Sequence, residues 1–341
     1  MRVAGHILLP QLQRVPDGVQ GIIPCRGSPE GAGPLWPPEA TKKKDVLPMT
    51  SQFKTFLLLA LLSGLILFMG GLFGGRAGLM IALVIALVMN VGSYWFSDKI
   101  VLAAYKAREI APEESPMLHT MVAELAREAG VPKPRVCVIP DDSPNAFATG
   151  RNPQHAVVAV TQGIMRLLTP EELRGVLAHE MGHVVNRDIL VQSVASVLAT
   201  VVMYLANMLQ FAAIFGGGRS DEEGGGGGPL GMVAGLLMAF LAPIAASLIQ
   251  FAISRSREYL ADATGARLSH SPQALASALA KLEAYSQRIP MREATPQTAN
   301  MFIVNPFAGR GGVTSLFTTH PPIQDRIARL QEMARTGSYN A

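Results

Sequence analysis

The run His179-Glu180-Met181-Gly182-His183 has the residue types and the spacing that bind and use a metal ion. On a helix, residues four apart lie on one face, so both imidazoles can reach one zinc ion. Glu180 then points to the adjacent side. There it can accept a proton from a water molecule whose pKa the metal lowers to about 7, and pass it to a leaving amine. The run predicts metal-dependent peptide hydrolysis.

The segment before the histidines predicts a helix with a well-defined start. Thr169-Pro170-Glu171-Glu172 combines a capping box with proline at the first helical position. Because the five-residue histidine pattern is short enough to occur by chance, this helical setting adds weight to it.

A catalytic zinc also needs a third protein ligand, and Glu258 is the candidate. Asn186 and Ile189 stand where the three-histidine class of zinc proteases has glycine and histidine, so a carboxylate is required instead. Glu258 directly follows a predicted membrane hairpin that returns the chain to the end of the zinc helix. Asp262, one turn later, can hold the free ring nitrogen of a zinc histidine. The alternative is that Glu258 is a solvated charge beside two arginines.

Composition indicates a membrane protein. Of the 341 residues 49% are hydrophobic and only 16% are charged. Four uncharged stretches each reach the roughly 20 residues that a membrane-spanning helix needs: 55–75, 77–97, 189–218 and 229–254. The alternative is that they are core helices of a large soluble protein, but such helices are usually shorter and carry a polar stripe.

Other functional classes fit poorly. The net charge of +4 comes from dispersed lysines and arginines without interleaved aromatic residues, so no nucleic-acid partner is expected. The two cysteines, Cys25 and Cys137, are far apart and support neither a disulfide framework nor a cysteine-based zinc site.

Basic residues predict the orientation of the spans. They precede the first span and follow the second and the fourth, whereas the Gly-rich connection 216–228 holds three acidic residues and one arginine. Because short basic segments stay in the cytoplasm, both termini and the polar middle of the chain are expected there.

The predicted fold class is a mainly α membrane protein. It has four transmembrane helices and a cytoplasmic α+β protease domain of the zincin-like, Glu-zincin type with a small β-sheet. Residues 1–48 hold eight of the 24 prolines and are interpreted as a disordered extension, and as an over-extended start of the chain. The further segments are a transmembrane hairpin at 55–97, the first half of the protease domain at 99–188, a second hairpin at 189–254 and the second half at 255–341. Within them, strands are predicted at 135–139, 145–149 and 156–161, and helices at 255–287 and 321–335.

These motifs resemble the HtpX family of bacterial membrane zinc proteases, over about residue 49 to the C-terminus. The likeness rests on 179–183, on 258–262 and on four spans in this order, together with 145–150, 186–188 and Thr319-His320-Pro321-Pro322 with Arg326. It implies a multi-pass protein of the bacterial inner membrane, with one Zn2+ per chain. It also implies a role in the stress response, in which damaged or misfolded membrane proteins or unfolded polypeptides are cleaved.

Three of these pieces have both a functional and a plain interpretation. Asn145, Ala146 and Phe147 are candidate substrate-binding residues, because an edge strand beside a zinc helix can pair with an extended substrate. The alternative is that they form an ordinary hairpin strand. His320 is a candidate catalytic residue that donates a hydrogen bond to the oxyanion of the tetrahedral intermediate. The alternative is that it only marks the start of a helix. The run 186–188 is interpreted as a polar collar at the membrane boundary.

Two further functions remain open. The chain could process lipidated C-termini, as related prenyl proteases with the same zinc signature do, or it could be a zinc-stabilised membrane scaffold without turnover. Glu180 argues against the scaffold, because a structural zinc site needs no general base. The sequence makes no prediction about the oligomeric state.

Overall fold

The computed structural model describes residues 51–215, 243–244, 247, 255–286, 295, 298–304 and 320–340. The predictions for residues 1–48, for the Gly-rich connection 216–228 and for most of 229–254 lie outside the described residues. The helices are α1 Ser51–Ala104, α2 Pro116–Glu128, α3 Gln162–Leu167, α4 Pro170–Val185, α5 Ile189–Phe215, α6 Arg255–Ser269, α7 Pro272–Ser286 and α8 Ile323–Thr336. The strands are β1 Arg108–Glu109, β2 Arg135–Ile139, β3 Ala146–Thr149 and β4 Val157–Thr161.

Helix α1 is folded back on itself at Gly75, whose φ of 54° and ψ of −139° are not helical. The two arms lie antiparallel, since the Asn90 side chain donates a 2.7 Å hydrogen bond to the Ser63 hydroxyl. Near the turn the backbones of Gly70 and Gly78 approach so closely that neither position has room for a Cβ atom. Within the described residues, Gly74–Ala104 is the one helical stretch long and apolar enough to span a membrane by itself, with a mean hydropathy of 2.0.

Helices α4 and α5 meet at a bend of 89°. Arg187 lies at the bend in the left-handed region, with a φ of 56°. Helix α5 is apolar and packs along the first arm of α1. Leu58 and Leu62 of α1 form one buried apolar cluster with Val191, Val194, Leu198 and Val202 of α5. The bend therefore places the end of α4 against this apolar helix pair.

The four strands form one sheet in the order β1-β2-β4-β3. Strands β2 and β4 are parallel, whereas β1 and β3 are antiparallel to their neighbours. The predicted strands correspond to β2, β3 and β4, and the expected mainly helical fold with a small sheet is confirmed. β3 is an edge strand but is fully buried, because it lies against α4 and α5.

The prediction of one continuous helix over 255–287 is wrong, because two helices, Arg255–Ser269 and Pro272–Ser286, occupy this region. The chain breaks at His270, which has a φ of 55°. Ser271 then caps the next helix by accepting a hydrogen bond from the Ala274 backbone N–H at 3.3 Å. The resulting α6 packs closely on α4, since a Cβ added at Gly265 would lie 2.8 Å from the His179 backbone nitrogen. This close approach brings the acidic residues of α6 beside the histidines of α4.

Candidate metal centre and active site

The capping box at the start of α4 is present as predicted. The Thr169 hydroxyl accepts from the Glu172 backbone N–H at 3.3 Å, and the Glu172 carboxylate accepts from the Thr169 backbone N–H at 2.9 Å. The same carboxylate accepts from Lys281 at 2.8 Å and from Ser277 at 2.7 Å, both on α7. The start of α4 is thus held in place before the chain reaches the histidines.

The structure brings His179, His183 and Glu258 together, with one potential ligand atom from each lying within 4.8 Å of the others. The His179 Nε2 atom is 3.9 Å from Glu258 Oε2, and the His183 Nε2 atom is 3.6 Å from Glu258 Oε1. These separations approach the roughly 3.4 Å between ligand atoms that follows from tetrahedral zinc with bonds of about 2.0–2.2 Å.

The polar atoms of this cluster fit a bound cation. All three side chains are buried. Glu258 Oε1 has no hydrogen-bond partner in the described part of the chain. A buried carboxylate oxygen left without a partner is costly, and a metal ion would satisfy it. The two imidazoles and the carboxylate form a donor set that suits zinc.

Asp262 lies where a partner for a metal-binding histidine is needed. Its Oδ1 atom is 2.9 Å from His179 Nδ1, which leaves Nε2 of the ring to face the metal position. Arg326 binds the same carboxylate with two hydrogen bonds, of 2.8 Å and 2.7 Å, and is itself fully buried. A third guanidinium hydrogen bond reaches the Ile303 carbonyl at 3.1 Å. Arg326 therefore fixes Asp262, and Asp262 fixes the ring of His179.

Asp188 is a second acidic partner that the sequence interpretation missed. Only 1% of its surface is exposed, so it is not a solvated residue of a polar collar. Its Oδ2 atom is 3.7 Å from His183 Nδ1, and its Oδ1 atom forms an ion pair with Arg257 on α6. Each histidine of the motif thus has its own buried carboxylate on the side away from Glu258.

The two histidines differ in their electrostatics. Burial lowers the pKa of His179 to about 4, so this ring is neutral at pH 7. Burial also acts to lower the pKa of His183, but the nearby carboxylates of Asp188 and Glu258 prevail and raise that pKa to about 9. Glu258 stays ionised, because His320 and His183 outweigh its burial and hold its pKa well below the usual range.

Glu180 lies between the two histidines and is 2% exposed. Burial raises the pKa of its carboxyl to about 7. The backbone N–H of Ala148 in β3 is near enough to favour the ionised form of this carboxylate, so the edge strand lies beside it. A carboxyl group whose pKa is near neutrality is suited to both accepting and returning a proton.

The side chains of the predicted substrate-binding residues are turned into the fold. Asn145 is 1% exposed and donates to the Val304 carbonyl at 3.0 Å, while the Ala146 carbonyl accepts from the Ile303 backbone N–H at 3.2 Å. Phe147 is fully buried, and its ring contacts those of Tyr105 and Phe302 at centroid distances of 5.7 Å and 5.4 Å. Their direct contact with substrate stays a prediction, which the burial of these side chains does not favour.

His320 lies in the site. Its Nδ1 atom is 3.1 Å from Glu258 Oε2, and 8% of its side chain is exposed. The other described histidines have partners elsewhere: His119 contacts Lys133, His155 contacts Asn152, and His270 pairs with Glu128. Within the described residues, the cluster of His179, His183 and Glu258 is the one group of metal-binding side chains with suitable geometry.

Comparison with known proteins places this site in a class. The family model for Peptidase family M48 matches residues 112–334, which include the whole cluster. The protein is therefore a metalloprotease, as the site chemistry predicts.

Sequence relatives narrow the assignment further. The chain is 59% identical to a "Protease HtpX homolog" of Syntrophobacter fumaroxidans over 285 residues, which are 84% of this chain and 100% of the relative. It is 54% identical to the "Protease HtpX homolog" of Pyrococcus furiosus over 281 residues, which are 82% of this chain and 95% of the relative. The chain belongs to the HtpX family of membrane-associated metalloproteases, and the predicted resemblance is confirmed.

The chain is also similar to a solved structure titled "Crystal Structure of S. mikatae Ste24p". The TM-score is 0.41 at 19% sequence identity, and the match covers 82% of this chain and 65% of that chain. The chain thus spans about two thirds of the length of Ste24p.

Proposed function

We propose that this chain is a zinc-dependent endopeptidase that cleaves misfolded or damaged membrane proteins at the cytoplasmic face of the bacterial inner membrane. The observation that supports the chemistry best is the buried cluster of His179, His183 and Glu258, with Glu180 beside it. Family membership supports the peptidase reaction, and the zinc assignment follows from the donor set.

Each residue of the site has a distinct task in the proposed reaction. His179, His183 and Glu258 would hold the zinc ion, which when bound acidifies water and polarises the scissile carbonyl. Glu180 accepts the proton of the attacking water and delivers it to the nitrogen of the leaving amine. Asp262 keeps the His179 ring in the orientation and tautomer that leave Nε2 free for a metal.

His320 is proposed to stabilise the negative charge that develops on the substrate oxygen. Its position supports this role, because its Nδ1 atom is 3.1 Å from the carboxylate of Glu258, a proposed ligand of the metal that would polarise that oxygen. A neutral or cationic imidazole N–H can donate to that oxygen, whereas the carboxylates around it cannot.

The proposed membrane setting rests on the apolar helices. Most of the span Gly74–Ala104 is exposed on the protein surface, with only 17% of its most apolar window buried. Exposed apolar helices of this length are stable in a bilayer rather than in water. We propose four spans, the pairs 55–97 and 189–254, with both halves of the protease domain in the cytoplasm. The sharp bend between α4 and α5 supports a metal site close to the bilayer surface.

Cleavage of a membrane substrate in proteoliposomes tests this function. We propose a single-span substrate with a destabilised loop on either side of the membrane, incubated with wild-type enzyme, Glu180→Gln or Glu171→Gln. Glu171 is an exposed carboxylate on the same helix and serves as the matched control. Loss of a general base typically lowers the rate by about 10²- to 10⁴-fold. We expect this loss for Glu180→Gln and not for Glu171→Gln.

The side of cleavage tests the orientation. We expect cuts in the cytoplasmic loop and faster cleavage of the destabilised substrate than of a folded one. Full activity of Glu180→Gln would contradict the reaction, and cuts confined to the opposite loop would contradict the orientation. A strong preference for a lipidated C-terminal peptide over the membrane substrate would favour the processing function instead.

A further inference from the structure

A cavity of about 480 Å³ lies apart from the metal centre. It is enclosed by the start of α1, the connection between β3 and β4, and the bend between α4 and α5. Its lining includes none of the residues that form the cluster around the candidate metal position. The proposed peptidase reaction therefore leaves this cavity without a role.

Two arginines line the cavity, Arg151 and Arg187. Arg151 stacks on the ring of Trp95 at 4.6 Å and contacts the His155 ring at 2.7 Å. In the described part of the chain neither arginine forms an ion pair with a carboxylate. Uncharged polar side chains of the lining accompany them: Gln52, Thr55, Asn152 and Gln154. The cavity thus presents hydrogen-bond donors and two positive charges, and no acidic side chain is among its described lining residues.

The other part of the lining is apolar. The lining changes from polar to apolar along the direction of α1. Along this helix the lining residues pass from Gln52 to Phe56 and Leu59, from polar to apolar, as the chain enters the first predicted span. Ile189 and Leu190 add apolar surface at the start of α5. One cavity therefore combines a cationic, polar region with a hydrocarbon-like region.

Exposed aromatic residues indicate the depth of the cavity in the membrane. Tyr94, Trp95 and Phe96 are 38%, 49% and 49% exposed near the end of the second arm of α1. Tyrosine and tryptophan side chains concentrate at the level of the lipid headgroups. Tyr94 lines the cavity itself, and Trp95 stacks on Arg151. The two arginines accordingly lie at headgroup level.

We infer that this cavity binds an anionic phospholipid. Arg151 and Arg187 hold the phosphate, because a guanidinium group binds phosphate through paired, charge-assisted hydrogen bonds. The acyl carbons lie along Phe56, Leu59 and Leu190. A zwitterionic lipid fits less well, since its own cationic group would face the two arginines. The volume falls within the range of typical ligand sites and suits a headgroup with the adjoining part of a chain.

This inference rests on the membrane placement proposed above, and its test does not need peptidase activity. Trp36 and Trp95 are the two tryptophans, so Trp36→Phe leaves Trp95, which stacks on Arg151 of the cavity lining, as the only tryptophan reporter. We propose to place this variant, in a Glu180→Gln background, in lipid nanodiscs. Quenching of Trp95 by brominated phosphatidylglycerol is then compared with quenching by brominated phosphatidylcholine.

The attraction of one arginine near a membrane surface corresponds to about five-fold in affinity, so we expect a preference for phosphatidylglycerol of about five- to 25-fold. Arg151→Gln/Arg187→Gln should reduce the preference to less than about two-fold on the same reasoning. Lys99→Gln/Arg255→Gln is the matched control, because it removes the same charge near the predicted bilayer boundary outside the cavity lining. It should retain most of the preference.

Three results would overturn the inference. They are equal quenching by the two lipids in the parent protein, an equal loss of preference in the control variant, and loss of preference upon addition of soluble glycerol 3-phosphate. The last result would identify a site for free anions rather than for a lipid. Failure of the protein to enter nanodiscs would contradict the membrane placement and this inference together, whereas insertion without a lipid preference would overturn this inference alone.

Discussion

Replacing Asp262 by leucine should weaken zinc binding and destabilise the fold through two different contacts of one carboxylate. The first contact, 2.9 Å to His179 Nδ1, orients a candidate zinc ligand. Loss of such an orienting carboxylate lowers metal affinity by about 10- to 100-fold. The second contact neutralises Arg326, which is fully buried. A buried arginine that loses its ion-pair partner destabilises a protein by about 3–5 kcal/mol. Because Glu258 Oε2 stays 3.8 Å from Arg326 Nη1, we expect a loss toward the lower end of that range.

The double variant Asp262→Leu/Arg326→Met separates the two effects. Removing both charges restores much of the stability, because well-packed apolar side chains of similar volume often replace a buried ion pair without loss. Zinc affinity should remain about 10- to 100-fold low, since His179 still lacks its acceptor.

Thermal unfolding of the metal-free protein in detergent measures stability, and competition with a chromogenic chelator measures zinc affinity. Arg335→Met, which breaks the exposed pair with Glu332 on α8, is the control and should change neither. Wild-type zinc affinity in the double variant would refute the role assigned to Asp262. Equal stability of Asp262→Leu and wild type would refute the role of the buried charge of Arg326.

Three further predictions follow from the same site. The pKa of His183 is about 9 in the metal-free chain, so this ring is protonated below that pH and zinc binding near about pH 7.5 should release about one proton. The apparent zinc affinity should then fall as the pH decreases below about 9. Calorimetry in buffers of different ionisation enthalpy measures the number of protons released when zinc binds, and a value of zero would contradict this prediction. Gly265→Ala should cost about 1–3 kcal/mol and reduce zinc content, because its Cβ would lie 2.8 Å from the His179 nitrogen. Gly92→Ala, which meets nothing within 4 Å, should alter neither quantity in melting and metal analysis. Thr169→Ala should lower stability by about 1 kcal/mol through the lost cap but keep the zinc content, and loss of zinc in this variant would contradict that separation.

Local sequence patterns were sufficient for the part of the site that lies on two helices. The capping box fixed the frame of α4, and the four-residue spacing put His179 and His183 on one face. Glu258 and Asp262 could be assigned because they share a helical face and follow a predicted hairpin. The strands β2, β3 and β4 were predictable because alternating or apolar runs are separated by turn residues.

The roles that were missed depend on long-range packing. Asp188 looked like a boundary residue, and only the bend between α4 and α5 turns it toward His183. Arg326 lies on α8, 64 residues from Asp262 in sequence, and no spacing rule connects them. The break at His270 did have a local signal, because Ser271-Pro272 is the same cap and first-turn pair that marks the start of α2. Strand β1 consists of two polar residues and carries no periodic pattern.

In the proposed site, His179, His183 and Glu258 bind one zinc ion, and Glu180 acts beside the ion without binding it. Metal analysis of the purified full-length protein tests this most directly. We expect about one zinc per chain in the wild type and in Glu180→Gln, and a severe loss in Glu258→Ala, because that variant removes one of three ligands. Normal zinc content in Glu258→Ala, or a zinc-free Glu180→Gln protein, would contradict the account.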